Sequence, residues 1–405
     1  MMYISRKSLF YSIMITLIGA FFISILINPL GSQMNVFYWR CGNLFGDFFN
    51  VEIFISDRNP YYNTYGGVSE HCYPPLAYAI MYLFHGFFDY QNAKNFEECL
   101  RCKESIISCI FFMVFTSLIF LHALSKMIKI QTIDYIIVIC SSIFLFSFER
   151  GNLIFLSVAF VFYYMAYKDS PISWKRNSAL LVLSLASAIK IYPALFGLYL
   201  VKEKRYRDII KCIILFLILF FVPFLFFENG INNFVKLLSN LAEYSKHYSS
   251  VVVSTIIQRY SISDLFVNLF KFLHSSPETI IVVNYITRIV SMLFCLISVL
   301  AFFYEKQSWQ SYFILTMVLL YFPEHSVVYC GLYLIPSVFM FLNKEEIKWQ
   351  DSIYLLLFCF FLNPFQIIIH NISFSYILSN ISLLAMWFLI MIDSYKSWRM
   401  KRELL

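Results

Sequence analysis

The chain has 405 residues, of which 60% are hydrophobic and only 14% charged, and its mean hydropathy is +0.70. Soluble domains carry about 25% charged residues, and here the deficit runs along the whole chain, which excludes a soluble enzyme with one anchor. The net charge of +7 comes from short basic clusters at the ends of apolar runs, the positive-inside pattern of an inner-membrane protein, and does not point to nucleic acid.

The apolar runs are continuous. A transmembrane barrel would alternate polar and apolar residues, so helices are expected. The fold class is therefore all-α, a polytopic transmembrane helix bundle with residues 1–405 as one integral membrane domain. The first span covers roughly 8–30 and is read as a retained helix, because no small-residue cleavage site follows it. A polar stretch, 31–71, comes next. Apolar runs then occupy roughly 73–88, 105–125, 132–148, 152–167, 178–201 and 208–227. A second polar stretch, 229–280, separates these from runs at 281–303, 309–322, 326–342, 351–369 and 374–393. At about 20 residues per crossing, this predicts about 11–13 spans, with amphipathic helices in the outer loops.

Basic residues in short loops set the orientation. Arg6 and Lys7 place the N-terminus in the cytoplasm, and Lys202, Lys204, Arg205, Arg207 and Lys211 mark a cytoplasmic loop. Both polar stretches then face outward, in a plasma (inner) membrane. Simple crossings between 72 and 202 would leave Lys126, Lys129, Lys168, Lys175 and Arg176 outside, against the rule. A re-entrant 73–88 and a broken hairpin at 178–201 return them to the cytoplasm, and Pro74, Pro75 and Pro193 are suitable breakers. The ten cysteines are scattered. Cys41 and Cys72 flank the first outer loop and can pair only if it meets an oxidising compartment.

The polar residues that look chemical lie mostly in the first half. Asp47 sits in the Phe-rich segment GDFFNVEIF, followed by Asn59-Pro60-Tyr61 and Tyr73-Pro74-Pro75. A carboxylate at a membrane surface among aromatic rings is partly desolvated, which makes it a better base; the alternative is a solvated loop aspartate. In FERGNLIFL, Glu149 and Arg150 fall at or below the membrane surface, where ionisable residues are costly and usually functional; an interfacial ion pair is the other reading. Lys190, inside the apolar SAIKIYPALFG, needs a phosphate, a carboxylate or a snorkelling path to water. His325, beside Glu324 at an outer turn, suits phosphate binding or proton transfer, or is an ordinary loop histidine. Arg259, in a second outer stretch interleaved with tyrosines, suits a sugar; an interfacial aromatic belt gives the same pattern. No P-loop, no GxGxxG after a strand and no HExxH occurs, which disfavours an ATP-driven pump, a nicotinamide enzyme and a zinc protease.

An aspartate after the first span, then NPY, YPP, ERGN, Lys190 in AIKIYP and the basic KEKRYR, in that order, resembles glycosyltransferase family 87 of the GT-C superfamily, the mannosyltransferase-like membrane enzymes. The likeness covers about residues 1–210, with weaker support from Pro323–His325. It implies a motif-bearing catalytic half, 1–210, and a variable half, 211–405, that shapes the acceptor and lipid groove. It implies an inverting hexosyltransferase, mannosyl or glucosyl, that takes sugar from a polyprenyl-phosphate donor to a lipid-linked or cell-surface glycan on the outer face. Asp47 would be the general base; Lys190, Arg150 and His325 would hold the donor phosphate; Glu149, Asn152, Tyr61, Tyr73, Tyr192 and Arg259 would contact substrate. No cofactor and no metal is called for, since the donor carries one phosphate. The partners expected are this donor, a glycan or glycolipid acceptor and membrane lipid. Two departures from the family pattern are Phe48-Phe49 directly after the aspartate and a second carboxylate, Asp57, in the same loop, which is the alternative base. A surface polysaccharide (O-antigen) polymerase and a transporter or flippase are the alternatives; the latter predicts matched broken helices in two halves, and no matched pair is found.

Overall fold

The computed structural model of the chain describes residues 6–27, 44–65, 71–86, 88–93, 95–251, 259–322, 327–345, 350–369 and 372–403. The described residues are predominantly helical, with a short antiparallel pair, β1 (Ile368–Ile369) and β2 (Ile372–Ser373). In chain order the α-helices are α1 (Arg6–Ile27), α2 (Gly46–Ser56), α3 (Pro75–Tyr82), α4 (Phe96–Arg101), α5 (Lys103–Met127), α6 (Thr132–Cys140), α7 (Ser142–Arg150), α8 (Ile154–Tyr167) and α9 (Ser173–Ile189). They continue as α10 (Leu198–Lys202), α11 (Tyr206–Phe221), α12 (Asn233–Val251), α13 (Ile262–Phe272), α14 (Pro277–Tyr304), α15 (Ser308–Tyr321), α16 (Ile335–Asn343), α17 (Asp351–Phe361) and α18 (Phe374–Glu403).

Among the described residues, five helices are long and apolar enough to cross a membrane: Arg6–Ile27, Lys103–Met127, Tyr206–Phe226, Pro277–Tyr304 and Phe374–Tyr395. A sixth is added if α6 and α7, bent by 61° at their junction, form one broken span. The all-α membrane bundle therefore stands, but the expected 11–13 full spans do not appear among the described residues. The reason is local. Apolar runs are interrupted where the backbone leaves the helical region, at Ser141 (ψ 144) and at Lys190 (φ −142, ψ 124). The pieces are too short to cross, because a helix rises 1.5 Å per residue. Another apolar run faces protein rather than lipid: every residue from Trp309 to Tyr321 in α15 is buried. The run 73–88 yields only α3, eight residues long, started by Pro75 at its first position, where proline's missing N–H costs nothing.

The chain forms two compact units that interleave in sequence. One holds α1, α6, the start of α7 and α13–α18; the other holds α2–α5, the end of α7 and α8–α12. In the first unit, Trp309, Phe341, Tyr354 and Phe358 pack edge to face at 5.2–6.3 Å, a geometry the ring quadrupoles favour. Asp351, almost fully buried, accepts from Arg6 (2.7 Å) and Lys344 (2.6 Å), so its charge is compensated from both sides.

The second unit carries the motifs. Helices α5, α8, α9 and α11 pack side by side, α5 and α9 each against α8 and α9 also against α11. At one end of this layer Lys168 pairs with Asp169 (2.7 Å) and with Glu203, while Arg205 reaches Asp169 and Glu203 at 3.1 Å. Residues 168–169 and 203–205 therefore share one end. The segment between them, α9 and its continuation to α10, leaves that end and comes back, with its break at Lys190. Helix α2 is not the surface amphipathic helix expected: Gly46, Phe48, Phe49, Val51, Glu52, Ile53, Phe54 and Ile55 are all buried. Helix α12 does present one stripe inward, with Asn233, Leu237 and Asn240 buried, a spacing that keeps them on one face. Cys41, offered as a partner for Cys72, lies outside the described residues.

Candidate active site

The site is assembled at three helix ends. Asp47 lies in the first turn of α2, where unpaired amide N–H groups favour a negative charge. Arg150 closes α7, and Lys190 caps the C-terminus of α9, where unpaired carbonyls favour cations. Lys190 is thus not stranded in mid-span, as the apolar run suggests; the helix ends at it. These placements predispose the carboxylate and the two cations to their positions before any side chain touches another.

The contacts then close on Asp47. Arg150 donates twice to Oδ1, from Nε at 3.1 Å and from Nη2. Asn152 donates from Nδ2 to Oδ2 at 2.8 Å, and the same nitrogen lies 3.3 Å from the Tyr73 hydroxyl. The Asn152 side chain is itself fixed, because its Oδ1 accepts from the Ile154 amide at 2.9 Å. The Lys190 ammonium stands 5.2 Å from the centroid of the Tyr73 ring, a cation–π distance. Burial, with the Asp47 charge beside it, pushes the Tyr73 phenol above its ordinary pKa, so it stays protonated.

Asp47 is consequently not a carboxylate surrounded by aromatic rings alone; a guanidinium and an amide hold it. A carboxylate has about four lone-pair positions. The two Arg150 bonds use those on Oδ1, and Asn152 uses one on Oδ2. Among the described residues this leaves one lone pair on Oδ2 for a further donor.

The backbone explains how α2 comes so close to the ERGN turn. Phe45 has φ 58, a conformation that a bulky residue seldom adopts, and its amide donates to the Glu149 carbonyl at 2.7 Å. Gly151 has φ +66, and a Cβ there would stand 2.8 Å from the Cβ of Phe48. Only glycine permits both that dihedral and that approach. Neither Phe45 nor Gly151 stands out in the sequence by charge or chemistry. The available signal is a glycine set between two polar residues inside an apolar stretch.

The remaining expected residues divide. Glu149 is buried next to Arg150, with no hydrogen-bond partner for its Oε2 among the described residues. Tyr61 is fully buried; its hydroxyl donates to the Tyr73 carbonyl at 3.2 Å, and its ring packs on Tyr78 and Phe224. It supports Tyr73 from behind. Tyr192 opens the 3-10 turn Tyr192–Gly197, two residues after Lys190. Asp57 ends α2, ten residues from Asp47 and so about 15 Å along the axis, where Asn63 donates to it at 2.6 Å. Arg259 belongs to the other unit and makes a bidentate pair with Asp264 at 2.7 and 3.0 Å. His325 lies outside the described residues.

Around this site a second polar frame holds the NPY and YPP loops. Asn59 donates to the Glu228 carbonyl (2.7 Å) and to the Asn233 side chain (2.8 Å). Asn240 donates to the carbonyls of Tyr61 (3.1 Å) and His71 (2.9 Å). Burial pushes His71 down to about 4, so its imidazole is neutral.

The model of glycosyltransferase family 87 matches residues 71–323, well over half of the 405-residue chain. The chain belongs to glycosyltransferase family 87. No curated protein and no solved structure matches it. Membership makes the protein a sugar-transferring enzyme of the membrane, and the transporter alternative is set aside. The match takes in Tyr73, Arg150, Asn152 and Lys190 but begins downstream of Asp47. For this family 87 enzyme, Asp47 is therefore singled out by its contacts with matched residues.

Proposed function

We propose that this enzyme transfers a hexosyl group, mannosyl or glucosyl, from a polyprenyl-phosphate donor to a lipid-linked or cell-surface glycan, with inversion, at the outer face of the plasma membrane. Asp47 is the general base. The observation that carries the reading is the asymmetric grip on its carboxylate, in which Oδ1 is taken up by Arg150 while Oδ2 keeps one lone pair. The acceptor hydroxyl donates to that lone pair. As the acceptor oxygen bonds to the anomeric carbon, its proton passes to Oδ2, and the bond from the anomeric carbon to the phosphate oxygen breaks on the opposite side. The electron pair leaves with the polyprenyl phosphate. The transition state resembles an oxocarbenium ion, as in glycoside hydrolysis.

Negative charge grows on the departing phosphate, so cations fixed nearby lower the barrier. Lys190 and Arg150 take this role. Arg150 can do so by sharing its guanidinium between Asp47 and the phosphate, because it has five N–H donors. The Tyr73 ring steadies the Lys190 ammonium, and Asn152 fixes the Asp47 rotamer. Glu149, buried with an unpartnered oxygen, is suited to accept a hydrogen bond from a sugar hydroxyl.

The purified enzyme in lipid nanodiscs, offered radiolabelled polyprenyl-phosphate mannose or glucose with a lipid-linked glycan, is expected to transfer label. GDP-mannose and UDP-glucose are expected to give none. Direct transfer from a nucleotide sugar would overturn the donor assignment.

A further inference from the structure

Behind the active site lies a second carboxylate that the reaction does not use. Glu52 is on α2, five residues after Asp47, so it points about 140° away around the helix and sits about 7.5 Å further along it. It is completely buried. Its Oε2 lies 2.8 Å from Nδ1 of His85, while its Oε1 has no hydrogen-bond partner among the described residues. The phenol of Tyr90, also buried, lacks one too. The Tyr90 ring is 4.8 Å from the His85 ring, and on another side Tyr82, well exposed, stacks on the imidazole at 5.5 Å. The His85 side chain keeps about a fifth of its surface exposed, at 22%. It stands between the protein surface and a fully buried carboxyl.

The titratable groups that face Glu52 are His85 from the turn after α3, Tyr90 from the 3-10 turn 90–92, Cys99 from α4 and Cys109 from α5. Of these groups, among the described residues, His85 alone can carry a positive charge. We propose that Glu52 and His85 form a proton-linked positioning pair that sets where α2 presents Asp47. The proposal rests on Asp47 being the base.

With one proton on the pair, the Glu52–His85 contact is neutral overall and closes the gap between α2 and the 83–92 segment. Loss of that proton to solvent through His85 leaves a net negative charge in an apolar setting, with one oxygen unbonded. Such a charge must gain water or a new donor, and either requires α2 to shift. Asp47 rides on the same helix. Burial outweighs the stabilising imidazole and pushes Glu52 up to about 7, so the change falls in the neutral range. Transfer should decline as pH rises above about 7, opposite in sense to the acid limb that a general base produces.

Infrared titration of the full-length enzyme in nanodiscs, from pH 5.5 to 8.5, tests the pair without any donor. A protonated-carboxyl band lost near pH 7 is expected in the wild type and absent in Glu52→Gln. In His85→Gln, which removes the imidazole, the band should persist to higher pH. The transfer assay then reads positioning: the alkaline limb of the wild type should flatten in Glu52→Gln, with KM little changed. No neutral-range band, or an identical band in Glu52→Gln, would overturn the pair. An intact band with an unmoved alkaline limb would overturn its positioning role. Absence of transfer from any donor with the band intact would instead count against the reaction proposed above.

Discussion

Replacing Gly151 by alanine tests the close approach of α2 to the ERGN turn. Two costs add. An L-residue at φ +66 is disfavoured by about 1–2 kcal/mol. The new Cβ would lie 2.8 Å from the Cβ of Phe48 and must retreat by about 0.7 Å to reach ordinary carbon contact near 3.5 Å. Phe48 Cβ is anchored to the α2 backbone, so the helix start has to move, and overpacking of this kind costs about 1–3 kcal/mol. The total is about 2–5 kcal/mol. The displacement acts on the residue next to Asp47, whose bonds from Asn152 and Arg150 at 2.8 and 3.1 Å have little slack. At about 100-fold per ångström of misplacement, transfer should fall by roughly 10–100-fold. Gly230→Ala is the control, since Gly230 has φ +53 and open space at the Cβ position; it carries the dihedral cost alone. Thermal unfolding in nanodiscs and the transfer assay report both effects. If Gly151→Ala matches Gly230→Ala in stability and activity, the close approach does not position Asp47.

Arg259→Gln should destabilise the protein by about 3–5 kcal/mol, because it removes a bidentate partner from the buried Asp264 carboxylate; Arg259→Gln with Asp264→Asn should recover much of the loss in thermal melts. Glu52→Gln should change the pH dependence of stability. A carboxyl raised from 4.5 to about 7 holds its proton more tightly in the folded state, so wild-type stability falls as pH rises from about 4.5 through 7, by about 3 kcal/mol. The variant lacks that loss, and melts at pH 5 and pH 8.5 should diverge accordingly. Lys190→Met should weaken binding of a polyprenyl-phosphate hexose by about 10-fold or more, the loss of one charge-assisted contact, measured by equilibrium binding; unchanged affinity would remove Lys190 from the phosphate site.

Much of the site is legible in the sequence because charged and polar residues inside apolar runs are few and each needs a partner. Asp47, Tyr73, Arg150, Asn152 and Lys190 are far apart in the chain, yet the polar motifs single them out, and the structure brings them into one contact chain. The helix breaks are less legible. A hydropathy run does not distinguish an apolar segment facing lipid from one buried in protein, so α15 and the pieces of 326–342 look like spans. The break at Ser141 has no proline to announce it. The Glu52–His85 pair also escapes a linear reading: the residues are 33 apart, and His85 looks like an ordinary structural histidine. Arg259, among aromatic and polar neighbours, resembles a sugar contact, but its fork is matched by Asp264 five residues away. Ser261 caps α13 by accepting from the Asp264 amide, one turn from that pair.

The central claim is that Asp47 takes the proton from the acceptor. It is tested most directly by single-turnover transfer from polyprenyl-phosphate hexose with purified Asp47→Asn, alongside Asp57→Asn and with folding checked by thermal melt. A general base contributes about 10²–10⁴-fold, so Asp47→Asn should lose activity on that scale. Asp57→Asn, at the far end of α2, should stay within about 2-fold of wild type. Near-wild-type transfer by a folded Asp47→Asn enzyme would contradict the account.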